Sequence, residues 1–575
     1  MSSTAAIINS IESYAFAKNN LPEVKTIISD NYLTYKLSKD SKCKYFFEFI
    51  EQNAKDNNLF LIDYLILNWY RDIDGKDILF NNGISIGQIL SRRLIFGFVM
   101  DLKNYDGLRY WLLKYNKIYV PNNISKSMKR VVSAINNDFE FEWYYPDQKK
   151  SKFIESTPER AIYYNHPVVH PFSGLAKKIQ KPFLSIVRKK KILYLNDWSS
   201  QGLAKMRNDL LSRNNYNFLK SYYFKKVKNI PIEEEFFFPI KIDNNKINIS
   251  HLETVMKEIG ITWDRTSYNL FLGLANNEYE KNRSLFIKIF YCYKSLFEYY
   301  KPNSVIFSGE NEFHTVIVSQ LSKIMKIKRY LLVDGYTSYH NETGYFKDEK
   351  NQNFIFDKFF AQGKAAKDLF NSIGIPNKDC IIIEPPIISP QKKNIKKISK
   401  ESPYPIILGY IPHANNYNAS LDKTIDIESD IIFLLYKMGY NKVGIKQKMA
   451  SWGQHETLDL YYEIMKRKFG EKFNIDIKII QGVFYKCLKD AKFFVGGISS
   501  AIIESYYSNI PFYIYEPFEN GKTDQMINSS MIYDLSTIAR NINQLDKMIK
   551  ERKQSIQSNK NYIFSGPSFE KINID

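Results

Sequence analysis

Cysteine is scarce. Four stand in 575 residues, at Cys43, Cys292, Cys380 and Cys487, with no Cys-x-x-Cys and no Cys/His cluster. That spacing excludes a disulfide scaffold and a structural zinc site, and fits buried free thiols in a reducing compartment. Long apolar runs are lacking too. The longest, such as LFLIDYLILNWY at 59–70, fall well short of the roughly 20 residues a membrane span needs. The N-terminus, MSSTAAIINSIESYAF, has no basic start followed by a long apolar stretch, so it does not read as a secretion signal. Histidine is rare, with seven in the chain. Neither a Walker P-loop nor a G-x-G-x-x-G fingerprint occurs. Those absences describe a soluble chain, at most peripheral to a membrane.

What is present is enough apolar residue, 44% of the chain, to build more than one core. The formal charge is +20. Such a surface suits nucleic acid, an anionic membrane or anionic sugars, and a lysine-biased composition accounts for it equally well. No nucleic-acid motif accompanies the charge, so nucleic acid is not expected as a partner. The basic stretch LAKKIQKPFLSIVRKKK (175–191) interleaves apolar and cationic residues. It reads either as a contact with an anionic membrane surface or as a solvated linker broken at Pro182.

Residues 1–185 mix helical patterns with short apolar runs and offer no chemistry. From about 190 a strand–helix rhythm sets in. Expected strands are 191–198, 304–309, 329–335, 354–363, 380–386, 406–413, 442–448, 475–482, 492–497 and 511–517, with helical stretches between most of them. Few alternate polar with apolar, as expected of parallel strands covered on both faces. The rhythm divides into a unit at 190–345 and a second at 355–535, with a polar helical tail at 536–575. Two doubly wound units in series place ligands at the carboxyl ends of strands.

Six strand ends carry candidate chemistry. GGISSAIIES follows the 492–497 strand. Gly496 and Gly497 permit a tight turn, and Gly497, Ser499 and Ser500 open a helix whose free N–H groups suit a phosphate. The plain alternative is a serine helix cap. LLVDGY puts Asp334 at a strand end, where its carboxylate is placed to take a proton from an acceptor hydroxyl, or merely to make an Asp-Gly turn. KVGIKQK puts Lys446 and Lys448 on one side of a strand end, as phosphate neutralisers or as exposed lysines. His413 ends IILGYIPH, a candidate phosphate or sugar contact. Glu310, after SVIFSG, is a candidate for acceptor contact or a share of the base role, and Glu516, in YIYEP, for a ribose hydroxyl.

With Val333-Asp334-Gly335, Ser499-Ser500 and the Lys446 strand end in view, the chain resembles bacterial GT-B glycosyltransferases over about residues 300–520. Among them it is most similar to CMP-sugar users: sialyl-, polysialyl- and Kdo or other nonulosonate transferases. The segment FFAQGKAAKDLFNSIGIP also looks like polyol-phosphate transferases of the teichoic-acid type. The resemblance implies an α/β GT-B fold, two Rossmann-like domains facing a cleft with an extra N-terminal α/β region. It implies Asp334 as catalytic base, the serine pair on the donor phosphate, and a glycan or glycolipid acceptor of surface polysaccharide synthesis. It also implies work in the cytoplasm, at most peripheral at the inner membrane face. The His-Pro motif of that family is missing, since Gln447 and Lys448 follow Lys446. The donor is therefore open between CMP-, UDP- and GDP-sugars, with Lys446, Lys448 or His413 in the histidine's place. GT-B enzymes generally dispense with a metal, and no cofactor beyond the nucleotide-sugar co-substrate is expected.

Overall fold

The computed structural model describes most of the chain. Residues 1–3, 147–189, 197–215, 221–246, 309–312, 333–346, 386–402, 410–420, 447–461 and 518–531, with shorter stretches, lie outside the described residues. Three parallel sheets organise the rest.

The N-terminal sheet has β1 (Thr4–Ile8), β2 (Thr26–Ser29), β3 (Cys43–Tyr45), β4 (Lys117–Pro121) and β5 (Glu140–Tyr144), in the order β3-β2-β1-β4-β5. Its helices are α1 (Ile11–Asn20), α2 (Asn58–Asn68), α3 (Ile86–Leu112) and α4 (Lys126–Ile135). Residues 1–185, chemically mute as sequence, thus hold a third doubly wound unit. Its β1–α1 turn has no glycine, and Ser10 and Ser13 close the first helical turn on each other in a capping box. Asn9 Nδ2 donates across the crevice to Asn123 O and Oδ1, both at 3.1 Å. The chain's own side chains therefore take up the groups at this switch point.

The middle sheet contains β6 (Lys190–Asn196), β7 (Tyr216–Lys220), β8 (Ser304–Ser308), β9 (Lys328–Leu332), β10 (Lys358–Gln362) and β11 (Cys380–Ile383). Their order is β11-β10-β9-β8-β6-β7, all parallel. This corrects the division expected from sequence. The sequence rhythm puts β10 and β11 in the unit at 355–535, but Tyr330 pairs with Lys358 and β10 extends the middle sheet. Around this sheet stand α5 (Ile249–Lys257), α6 (Arg265–Tyr300), α7 (Phe313–Ile324) and α8 (Lys364–Ser372).

The N-terminal and middle units share one apolar core. Phe271 of α6 packs edge-on against Trp69 at 5.6 Å and Phe98 at 5.0 Å between ring centres. Asp264 caps α6, accepting from Ser267 N at 2.9 Å, and also takes Arg109 of α3 at 3.0 Å. The Ser85 amide donates to Gln320 Oε1 of α7 at 3.0 Å. A core this large and continuous ties two units into one body.

The C-terminal sheet is built from β12 (Tyr404–Leu408), β13 (Lys442–Lys446), β14 (Asp476–Ile480), β15 (Ala491–Gly496), β16 (Phe512–Tyr515) and β17 (Ile538–Ala539). The order is β14-β13-β12-β15-β16-β17, again parallel. Ile406, Leu408, Phe494, Phe512 and Ile514 pack on one face; Ile407, Val443, Ile445, Val495, Tyr513 and Tyr515 pack on the other. That alternation explains why the strands read as continuous apolar runs: both faces are covered. The helices are α9 (Leu421–Lys437), α10 (Ala501–Tyr507), α11 (Ile542–Glu551) and α12 (Lys560–Phe564).

The last of these returns to the middle unit. Tyr562 donates to Asp368 of α8 at 2.8 Å, Lys364 N to Ser565 Oγ at 2.9 Å, and Glu384 N to Pro567 O at 3.0 Å. The polar tail expected at 536–575 is thus amphipathic, burying Leu545, Met548, Ile549 and Ile563. The architecture is an α/β GT-B type, two doubly wound units with an additional N-terminal α/β unit. Among the described residues no helix is long and apolar enough to cross a membrane.

Candidate functional site

In chain order the strands of the C-terminal sheet lie 3-2-1-4-5-6, so the order reverses between β12 and β15. In open α/β sheets the crevice outside the carboxyl ends at that reversal is where ligands bind. Here those ends are Leu408-Gly409 and Gly496-Gly497. The Gly409 amide donates to Lys446 O at 3.0 Å, which draws the end of β12 against β13. The glycine turn picked out in the sequence therefore sits at the switch point.

Helix α10 is shorter than expected, beginning at Ala501 and not at Ile498. Ser499 is exposed, and its hydroxyl accepts from Ala501 N at 3.2 Å while its carbonyl accepts from Ile502 N at 3.0 Å. Ser499 thus caps the helix, and a serine hydroxyl that accepts can also donate. Gly497 and Ile498 bend the chain between strand and cap. Ser500 lies outside the described residues.

Of the two readings of Lys446, the exposed lysine is excluded: its relative exposure is 8%. Register explains why. Lys446 pairs with Leu408 on one side and Ile480 on the other, and Gly496 pairs with Ile514, which pairs with Ile538. Parallel partners share a face. Lys446 is the one charged side chain in that row, on the face where α10 packs. Two more buried titratable groups approach it, Glu504 of α10 and Cys487. Burial lowers the proton affinity of Lys446, against the opposing pull of Cys487 and Glu504. Burial also pushes the Cys487 thiol up to about 12, and its Sγ donates to Phe484 O at 2.8 Å. Sequence reasoning missed Glu504 and Cys487. The available signal was a glutamate inside the apolar run AIIESYY.

Glu516 follows β16, beside the switch strand, and is buried at 6% exposure. Its amide donates to Ala539 O at 2.9 Å, and its carbonyl accepts from Arg540 Nη1 at 3.2 Å. Burial, then the charges of Asp430 and Glu516, raise the neighbouring Tyr515 hydroxyl to about 12. The structure therefore brings Gly496, Gly497, Ser499, Lys446 and Glu516 to one edge of one sheet. Asp334, Glu310, His413 and Lys448 lie outside the described residues. In the chain, Glu310 comes just after β8 and Asp334 just after β9, the carboxyl ends of two adjacent middle-sheet strands. The middle sheet's order reverses between β6 and β8, so Glu310 follows a switch strand. Among the described residues no cluster of three or more His, Cys, Asp or Glu is arranged to hold a metal.

No family model matches the chain, and comparison with curated proteins gives no match. Solved structures offer loose likenesses. A Staphylococcus aureus MnaA structure with UDP is 12% identical, covering 66% of this chain and 92% of that one, with a TM-score of 0.39. UDP-GlcNAc 2-epimerase from Methanocaldococcus jannaschii, bound to UDP-GlcNAc and UDP, is 14% identical over 66% and 97%, with a TM-score of 0.38. The Neisseria meningitidis UDP-GlcNAc 2-epimerase bound to UDP-GlcNAc is 11% identical over 63% and 91%, with a TM-score of 0.38.

Proposed function

We propose that this chain is a nucleotide-sugar-dependent glycosyltransferase. The observation carrying that reading is the Gly496-Gly497 turn at the switch point of the C-terminal sheet. The nucleotide's phosphate would lie on the backbone amides of 497–499 and would take the hydroxyls of Ser499 and Ser500 as donors. Glu516, at the next strand end, would take a ribose hydroxyl. The acceptor glycan or glycolipid would enter over the middle unit, where Asp334 takes the proton of the attacking hydroxyl as the nucleotide leaves, and Glu310 assists. Backbone amides and hydroxyls at the turn would supply the stabilisation of the departing phosphate that a metal supplies elsewhere.

A UDP- or GDP-sugar donor is favoured over a CMP-sugar. The pattern resembling CMP-sugar users is incomplete where their His-Pro would touch phosphate, since Gln447 follows Lys446. The CMP-nonulosonate reading keeps the support of Ser499-Ser500 and Val333-Asp334-Gly335. Calorimetric titration of the full chain with UDP, GDP, CMP and CDP separates them. Binding of UDP or GDP and not CMP is expected. Tight CMP binding alone would restore the nonulosonate donor, and binding of none would remove the nucleotide site. A phosphodiester in the product would replace glycosyl transfer by polyol-phosphate transfer.

A further inference from the structure

One short segment near the end of the chain finishes two helices that belong to different units. At its start, Lys560 closes α10. That helix ends on Asn509 in the left-handed region, φ +58°, with Asn509 N donating to Tyr506 O at 3.2 Å and Ile510 N to Ser505 O at 3.1 Å. The Tyr507 carbonyl accepts from Lys560 Nζ at 3.2 Å, and the same ammonium donates to Asn509 Oδ1. A cation at the carboxyl end of a helix is favoured by the helix dipole. Phe564 packs on that end too, its ring centre 6.2 Å from that of Tyr506 and 5.1 Å from that of Tyr507. Further along the segment, Ser565 opens α8: its Oγ accepts from Lys364 N at 2.9 Å. Tyr562 donates to Asp368 of the same helix at 2.8 Å. Between these anchors Ile563 is fully buried, in one apolar cluster with Ala365 of α8 and Ile502 and Ile503 of α10.

We infer that residues 560–565 are a strap that positions the Gly496–Ser499 turn relative to the middle unit, with Lys560 and Tyr562 as its positioning residues. The turn runs into α10 through the Ser499 cap, so what holds α10 holds the turn. Lys560 and Phe564 hold α10; Tyr562 and Ser565 hold α8. Helix α8 follows directly on β10, which lies beside β9 in the middle sheet. The strap is therefore anchored to the sheet whose strand ends precede Glu310 and Asp334. Donor and acceptor meet from different units, and a misplacement of about 1 Å between them costs on the order of a hundredfold in rate. The strap fixes that distance. Its role in transfer rests on the proposed glycosyltransferase reading; the mechanical link between α10 and α8 does not.

Hydrogen exchange on the full chain, read at the backbone amides of 501–510, tests the link with Lys560→Met, Tyr562→Phe and both together. Tyr562→Phe removes a bond on the α8 side only, so any change it causes within α10 has crossed the strap. Exchange in α10 is expected to quicken about tenfold in Lys560→Met and about fivefold in Tyr562→Phe. The double variant should exchange no faster than Lys560→Met, because a strap released at one end carries nothing from the other. Lys560→Arg, which keeps a charged donor, should stay within about twofold of the unaltered chain. Unchanged exchange in α10 on Tyr562→Phe would overturn the link, and so would effects that multiply in the double variant. Should Lys560→Met fail to fold, Tyr562→Phe alone decides. Kinetics then test the positioning role: kcat for transfer should fall about tenfold in each single variant while nucleotide Kd stays within about twofold. A loss confined to Kd or to the donor KM, with kcat unchanged, would overturn it. If the unaltered chain transfers no sugar, the proposed function and the positioning role both fall, and exchange still decides the link.

Discussion

Leu408 occupies the space that a side chain at residue 496 would need. A Cβ built on Gly496 falls 2.8 Å from Leu408 Cβ and 3.3 Å from its carbonyl oxygen. The two switch strands touch at their carboxyl ends through that missing side chain. Gly496→Ala must therefore push β12 and β15 apart. The expected result is a less stable protein that has lost nucleotide binding. Gly273→Ala is the control: Gly273 is exposed within α6, with nothing inside 4 Å of its added Cβ. That change should raise stability by about 0.5–1 kcal/mol and leave binding alone. Thermal melting with and without nucleotide reads both.

Asp334→Asn is expected to abolish transfer while donor binding persists, since an amide keeps the shape and cannot accept a proton at neutral pH. Turnover measured with the donor identified by titration checks it. Near-normal activity would move the base role to Glu310.

A buried polar network holds the N-terminal unit. Asp101 of α3 is fully buried and takes Arg130 of α4 bidentately, at 2.9 and 2.7 Å, with Ser127 at 2.6 Å. Asn104 adds a bond to Ser127 at 2.8 Å. Asp101→Ala leaves a guanidinium without its carboxylate between two helices and should cost about 3–5 kcal/mol in urea unfolding. A loss under 1 kcal/mol, the size of an exposed pair, would contradict that account.

Acid should act through Asp357. Burial pushes its carboxyl up, and the bidentate Arg329 guanidinium, at 2.6 and 2.9 Å, more than offsets this, so the group ends below the usual carboxylate value. A depressed carboxyl contributes stability that is present above its unfolded pKa and lost as pH falls through the folded one. The stability gap between the unaltered chain and Asp357→Asn should hold from neutrality to about pH 4 and close below it. Urea midpoints across that range check it.

The strands were legible and their partners were not. Tyr404–Leu408 and Phe512–Tyr515 announce themselves because a strand covered on both faces is apolar throughout. Nothing local in Lys358–Gln362 says that it pairs with Tyr330 and not with the strands that follow it. Pairing is settled by packing between distant segments, and the domain boundary shifted accordingly. The N-terminal α/β region is expected, but its individual strands are not placed by the sequence, because they are short, Cys43–Tyr45 being three residues, and no glycine marks its first turn. The burial of Lys446 is illegible for a related reason. A lysine at the end of an apolar strand reads as exposed unless the buried glutamate nearly sixty residues later is taken with it. The switch-point glycines were read correctly because glycine at a strand end has a local geometric meaning.

Gly363 adopts φ +90°, and a Cβ there would collide with the carbonyl oxygen of Ile563. Residues 560–567 thus complete a surface of the middle unit, although the ribosome makes them after every strand of the C-terminal sheet. During synthesis α8 and the edge of β11 emerge long before their cover, and they must wait, exposed or chaperoned, while some two hundred residues are translated. The middle unit is begun before its neighbour and finished after it, which makes its last step of maturation a consequence of chain order.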